Sequence, residues 1–309
     1  MDSEQNSSPE VAVLGAAAVD WVARVKRFPR QDSIVYAEEF MLMPGGSGGN
    51  VAAGVAQLGH RVRFLGLLGD DDGGQLLLRA FMDVGVDTCC TRVEKGQRSA
   101  SCFITIDEHG ERQIVALGGV ALYDKAEDIN PAWLKNVQIL FIADAYQEVV
   151  SAASASLDVN ARVVFNPGGL MAGSGREYTQ PFMERADVLI VSEVEAEAMT
   201  GESDTHSAIR ELARRGPDVV MLTLGRHGAL TLENGKTTHI PAVEVTSVVD
   251  TTGAGDAFSS GVIAGMLEGL NWTDSARMGC VVASFKIRHL GGRGGLPNHG
   301  QVQALLESM

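Results

Sequence analysis

The sequence has no run of the roughly 18 uninterrupted apolar residues that a membrane span needs. Its first ten residues are polar and acidic, without the apolar segment of a secretory signal. A soluble, cytoplasmic protein is therefore expected. Cysteine is scarce: Cys89, Cys90, Cys102 and Cys280 form no C-x-x-C and no metal-ligand spacing, which predicts reduced thiols packed in a core. Positive charge is also short, with 25 Lys and Arg against 39 Asp and Glu and a formal net charge of −14. That balance argues against nucleic acid or an anionic membrane surface as partner.

Several catalytic patterns are missing as well. There is no G-x-x-x-x-G-K-[ST], which excludes a Walker-type phosphate loop, and no G-x-G-x-x-G followed by a suitable acid, which disfavours a dinucleotide oxidoreductase. H-E-x-x-H, G-x-S-x-G and Cys/His pairings do not occur, and His206, His227, His239 and His289 stand singly near polar turns. Surface positions are expected for these histidines.

Glycine, by contrast, is abundant: 36 of 309 residues, above the usual ~7%, and concentrated in turns. Hydrophobic residues at 45% and charged residues at 21% are ordinary globular usage. β-branched runs at 11–14, 62–68, 139–143, 162–166, 188–192 and 219–224 precede helical or polar stretches. Such alternation predicts an α/β fold, a Rossmann-like three-layer αβα body with a mostly parallel central sheet. No repeat or linker divides 1–309, so one domain is expected. Two strand-like pieces, 33–43 and 98–117, interrupt the pattern. The second holds two period-2 runs around D-E-H-G and reads as a hairpin. A small β-sheet lid over the crevice accommodates both pieces; an edge hairpin of the main sheet is the alternative. Exposed lid edges would pair with a second subunit, which predicts a homodimer.

Residues 248–261 read V-V-D-T-T-G-A-G-D-A-F-S-S-G. This is a strand end, a glycine turn and a helix whose Phe258, Val262 and Met266 recur at i, i+4 and i+8. Gly253, Ala254 and Gly255 leave backbone N–H groups open at a helix N-terminus, an anion cradle. Asp256 beside it is either a first-turn acid complementing the dipole or a base. A second glycine turn, P-G-G-S-G-G-N at 44–50, precedes an Ala-rich helix over 51–58. It places Gly45, Gly46 and Asn50 at a helix start open to a ligand, with a plain N-cap as the alternative for Asn50. Asp20 follows the 11–14 run, where a buried strand opens into a loop at the ligand crevice; a turn aspartate is the alternative. Phosphoryl transfer to an alcohol needs these parts: backbone donors and Mg²⁺ for the phosphoryl charge, and an ionised carboxylate that orients and deprotonates the hydroxyl.

The segments D-T-T-G-A-G-D-A-F at 250–258 and P-G-G-S-G-G-N at 44–50 resemble the two signatures of the ribokinase/PfkB carbohydrate kinase family. The resemblance runs from the first strand and Asp20 to G-G-R-G-G-L-P at 291–297. It implies a ribokinase-like fold with Asp256 as catalytic base and Gly253, Ala254 and Gly255 as anion hole. Asp20, Gly45, Gly46 and Asn50 would hold the sugar, with Phe103 of the hairpin beside them. Thr223-Leu224-Gly225 and Gly228 resemble the nucleotide-binding strand and loop, with Thr252, Gly253 and Gly255 at the phosphates, and 283–291 resembles the helix and turn beside adenine.

The implied cofactors are ATP and Mg²⁺. Glu195, in Ser192-Glu193-Val194-Glu195, matches the Glu of the family's N-x-x-E, which helps place Mg²⁺ through water, while Ser192 replaces the Asn. The family's monovalent cation, K⁺, would lie near carbonyls around Asp250. The implied activity is ATP-dependent phosphorylation of a primary hydroxyl of a small sugar. A ketose or furanose is favoured, by likeness to ketohexokinase- and sulfofructose-kinase-like members. Arg293, between glycine pairs, would meet a phosphate or a charged substrate tail, or stand solvated in a loop. A nucleoside kinase of the same fold and a catalytically silent sugar-binding regulator are the alternatives. Phe103, the only aromatic of 98–117, favours a sugar over a nucleoside.

Overall fold

The computed structural model describes residues 8–309, so the expectations for the polar N-terminal segment fall largely outside the described residues. Strand β1 (Val11–Leu14) is followed by β2 (Ala18–Arg24) and β3 (Glu39–Gly45), then β4 (Val62–Gly69) and β5 (Thr91–Glu94). Next come β6 (Ser101–Ile106) and β7 (Arg112–Gly118), then β8 (Ile139–Ala143), β9 (Arg162–Asn166), β10 (Val188–Ser192) and β11 (Val219–Thr223). The strands close with β12 (Ala229–Glu233) and β13 (Lys236–Ile240).

Nine strands form one sheet in the order β13-β12-β11-β10-β9-β8-β1-β4-β5, parallel except at the β11-β12-β13 edge. The reason lies in composition: β1 and β8 are apolar and buried at every position, as sheets covered on both faces require. Along β1 the side chains alternate between two cores. Ala12 and Leu14 join the residues of helices between 147 and 213, while Val11 and Val13 join the helices Ser47–Gln57, Asp72–Asp83, Ala254–Leu267 and Trp272–Lys286. This is the expected three-layer α/β architecture.

The smaller sheet has four strands in the order β3-β2-β6-β7. The hairpin read at 98–117 corresponds to β6 and β7. Two readings are corrected. Residues 33–38 lie outside its strands, and Asp20 is not in a loop after β1 but in the middle of β2, paired with Met43 and Cys102. β2 escapes pattern reading because both of its faces carry apolar residues, with Val19 and Val22 buried on opposite sides. Its period-2 alternation is erased. The glycine turn at 44–50 is also more regular than expected, since the helix starts at Ser47 and Asn50 is its fourth residue.

Candidate active site

The helix Ala254–Leu267 begins after Gly253, which adopts φ 75° and carries no side-chain cap. The Ala254 N–H turns back to the Thr251 carbonyl at 3.1 Å. Among the described residues, the amides of Gly253, Gly255 and Asp256 find no partner within the chain. Of the expected trio, Gly253 and Gly255 keep free amides, joined by that of Asp256, while Ala254 closes the turn. Free first-turn amides at the positive end of a helix are a ready anion site.

Asp256 faces the crevice from this first turn. One carboxylate oxygen accepts the Ser47 hydroxyl, and the other accepts Asn50 Nδ2 at 2.8 Å. Both donors come from the helix Ser47–Gln57, which packs along Ala254–Leu267 with the Ser260 hydroxyl 3.4 Å from the Val51 carbonyl. The two glycine turns therefore meet through their helices. Burial raises the pKa of Asp256, while the bonds from Ser47 and Asn50, then the charges of Arg112 and Arg293, lower it. The net direction is upward, so this acceptor-only carboxylate holds a proton more readily than an exposed one.

Behind Asn50 stands Arg293. Its Nε donates to Asn50 Oδ1 at 3.1 Å, another nitrogen donates to the Gly45 carbonyl at 3.0 Å, and the guanidinium lies 4.8 Å from the centre of the Phe81 ring. Arg293 is thus an internal support of the Asn50–Asp256 chain rather than a solvated loop residue. Asn50 acts first on Asp256, with one Nδ2 hydrogen left for a ligand.

Asp20 is 4% exposed and lines the same crevice. A Cβ at Gly45 would lie 2.0 Å from Asp20 Oδ2, so only glycine leaves room for this carboxylate. Burial pushes the pKa of Asp20 up to about 7; Arg293 opposes this and Asp256 adds to it. The folded pKa lies above the ordinary 3.8, so folding is favoured when the group is neutral at low pH. The penalty grows as pH rises from about 4 through about 7. Asp20→Asn should therefore raise the Tm of the ligand-free protein at pH 8, where the buried charge is worth up to a few kcal/mol. The same change would remove from the crevice an ionised acceptor of hydroxyl hydrogens. An unchanged or lower Tm at pH 8 would show that Asp20 is not held against its charge.

Two clefts converge on the 251–255 turn. One, of about 590 Å³, is lined by Asp20, Asn50, Arg112, Asp144, Glu195 and Asp256. The other, of about 700 Å³, has Thr223, Gly225 and Gly228 on one side and apolar Val243, Phe258 and Ile287 around them. Both touch Thr251, Ala254 and Gly255. Thr252 is anchored behind this turn, its N–H on Asp250 Oδ1 at 2.8 Å.

Glu195 and Ser192 form a reciprocal cap of the helix Glu193–Thr200: the Ser192 N–H reaches Glu195 Oε2 at 2.8 Å and the Glu195 N–H reaches the Ser192 hydroxyl at 3.3 Å. Ser192 thus keeps Glu195 at the crevice wall with its second oxygen uncommitted. Among the described residues no group of three or more His, Cys, Asp or Glu is gathered tightly enough to hold a metal alone. The carboxylates of Glu195 and Asp144 suit an ion that arrives on a polyphosphate and keeps most of its waters.

Phe103 is not part of the crevice. It is 37% exposed on the opposite face of the small sheet, while its neighbours Cys102 and Ile104 line the cleft. Ser47, Arg112 and Asp144 were not singled out by sequence. Asp144 follows the apolar β8 at φ 51°, and burial, with the charges of Asp256 and Glu195, raises its pKa to about 6. Its signal, an acid just after a buried strand, was the one applied to Asp20.

An open α/β sheet with a polar crevice, an apolar cleft and a free-amide helix start between them defines a phosphotransferase of the ribokinase-like class. Residues 8–299 match the pfkB family of carbohydrate kinases, and the chain belongs to that family. It is 32% identical over 241 residues to a fructokinase of Klebsiella pneumoniae, covering 72% of this chain and 76% of that one. It is equally 32% identical over 266 residues to an aminoimidazole riboside kinase of Salmonella typhimurium, covering 82% and 80%. The solved ribokinase of Thermotoga maritima superposes with a TM-score of 0.84 at 26% identity, over 97% of this chain and 99% of that one.

Proposed function

We propose that this protein transfers the γ-phosphoryl group of ATP to a primary hydroxyl of a small sugar, a ketose or furanose. The observation that carries this reading is the meeting of the two clefts at the 251–256 turn, with Asp256 on the polar side. The acceptor occupies the cleft of Asp20 and Asn50, its hydroxyl oriented by Asp256. The oxygen attacks the γ-phosphorus, the bond to the β-phosphate oxygen breaks, ADP leaves, and the hydroxyl proton passes to Asp256 late in the step. The amides of Gly253, Gly255 and Asp256 receive the charge on the phosphoryl oxygens. Glu195 and Asp144 are the residues that would hold Mg²⁺ arriving with the nucleotide, which would neutralise phosphate charge. The adenine lies in the apolar cleft between the 225–228 turn and Ile287.

A riboside or nucleoside acceptor is the second reading, favoured by the 32% identity to the aminoimidazole riboside kinase. The outward position of Phe103 removes the aromatic that would stack a base, and this supports the sugar. ADP release measured across ketoses, aldoses and nucleosides decides. Turnover with sugars alone is expected; preference for nucleosides would overturn the sugar assignment. No turnover with any, despite sugar-induced Tm shifts, would make the protein a silent regulator.

The small sheet acts as lid and as dimer surface. Its outer face exposes Trp21, Phe40, Leu42, Phe103, Val115 and Leu117, and β7 is exposed along its whole length. Such a face and edge are covered most simply by the same face of a second copy. Light scattering at micromolar concentration should report a dimer; a monomer there would count against this. Cytoplasmic residence fits the supply of ATP and the four unpaired cysteines. No helix among the described residues is long and apolar enough to cross a membrane.

A further inference from the structure

The 249–253 turn and the 287–292 loop are tied together beside the site by backbone and side-chain bonds. Asp250 accepts the Thr252 N–H on Oδ1 and the Gly291 N–H on Oδ2, both at 2.8 Å. The amides of Val249 and Asp250 both donate to the Ile287 carbonyl. At the centre is Lys286, the last residue of the helix Trp272–Lys286 and fully buried. Its Nζ donates to the Asp250 carbonyl at 2.8 Å and to the His289 carbonyl at 3.2 Å, and lies 3.9 Å from Asp250 Oδ2.

Carbonyl oxygens from two loops with a nearby carboxylate are the kind of donor set that a hard cation gathers. Here they already surround an ammonium, so the residues present do not fit a K⁺ ion at Asp250. A buried lysine is costly unless its charge is paired and its hydrogens find acceptors; here two of the three hydrogens are bonded to carbonyls and a carboxylate lies beside the charge. Burial lowers its pKa to about 8, with Asp250 opposing, so it stays mostly protonated at neutral pH.

We propose that the Lys286 ammonium is a built-in monovalent cation that locks the anion-hole turn, making this protein independent of K⁺. Lys286 touches no reacting atom and is a positioning residue. It ties the carbonyl of Asp250 to that of His289, and the shape of the 251–255 turn depends on this tie. The kinetic arm of the test rests on the phosphotransfer reading above, whereas the thermal arm does not.

The test compares chlorides of K⁺, Na⁺ and choline at matched ionic strength. For the wild-type protein the Tm should be the same in all three, and the initial rates should agree within about twofold, because no ion binds the folded state selectively. A higher Tm in K⁺ than in choline, or several-fold stimulation by K⁺, overturns the proposal even if no variant can be made. Lys286→Ala should lose Tm and kcat in choline and recover part of both in K⁺, which enters the vacated cage. Lys286→Met, whose side chain fills the cage without charge, should lose both and recover neither. If Lys286→Ala matches the wild type in choline, the ammonium has no such role. Absence of turnover with cation-insensitive wild-type Tm and K⁺-rescued Tm in Lys286→Ala would reject the kinase reading and leave the built-in cation standing.

Discussion

Asp256→Asn should lower kcat by about three orders of magnitude, the scale on which a general base contributes, while nucleotide affinity stays near that of the wild type and the Tm, relieved of a buried charge, is equal or higher. The exchange preserves volume. The amide oxygen still accepts one of the two donors that hold the carboxylate, and the Ser47 hydroxyl can rotate to accept from the new amide. What is lost is the proton acceptor. KM for the sugar should change far less than kcat, because Asp20 and Gly45 are untouched. The wild-type rate should also fall on the acid side at a pH above that of an exposed aspartate, since burial raises the pKa of Asp256 and only the ionised form accepts a proton. A variant kcat within tenfold of wild type would move the base elsewhere, with Asp144 next to be tested.

The second large effect is expected from Gly253→Ala. Gly253 sits at φ 75°, and a Cβ there would lie 2.5 Å from the Gly292 carbonyl oxygen. A left-handed alanine costs about 1–3 kcal/mol by strain alone, and the contact forces the turn away from the 291–292 loop. The amides of Gly253 and Gly255 then leave their positions, and kcat should fall by about 10²–10³, as when an oxyanion donor is removed. Gly255→Ala is the control for stability. A Cβ at Gly255 meets nothing within 4 Å, so its Tm should hold even though a methyl group enters the crevice. Stopped-flow or coupled-assay kinetics beside thermal melts separate the two. Equal Tm losses in both variants would remove the Gly292 contact as the cause.

How much of this could be read without coordinates differs from element to element. The buried strands β1, β4 and β8–β11 were legible because a strand covered on both faces is continuously apolar. The hairpin β6–β7 was legible because the turn residues D-E-H-G separate two runs of strand formers. β2 was not, because its buried residues fall on both faces around a central aspartate. Asp256 and its glycine turn stood out in sequence, yet the turn's own closure through Ala254 did not, since which amide bends back depends on backbone angles. Phe103 was assigned to the site from its place in the hairpin; in a strand, one residue's shift in register exchanges the faces.

By itself the sequence determined the α/β class, the family, the two glycine turns and the acid beside one of them, because these follow from local composition and short-range spacing. Tertiary structure alone decided what surrounds that acid. Ser47, Asn50 and Arg293 come from distant segments and meet Asp256 only where two helices pack. Lys286 fills the place expected for a monovalent cation because its helix ends within reach of the Asp250 and His289 carbonyls. Contacts of that separation depend on packing between layers, and no pattern of neighbours along the chain encodes which long side chain reaches which carbonyl.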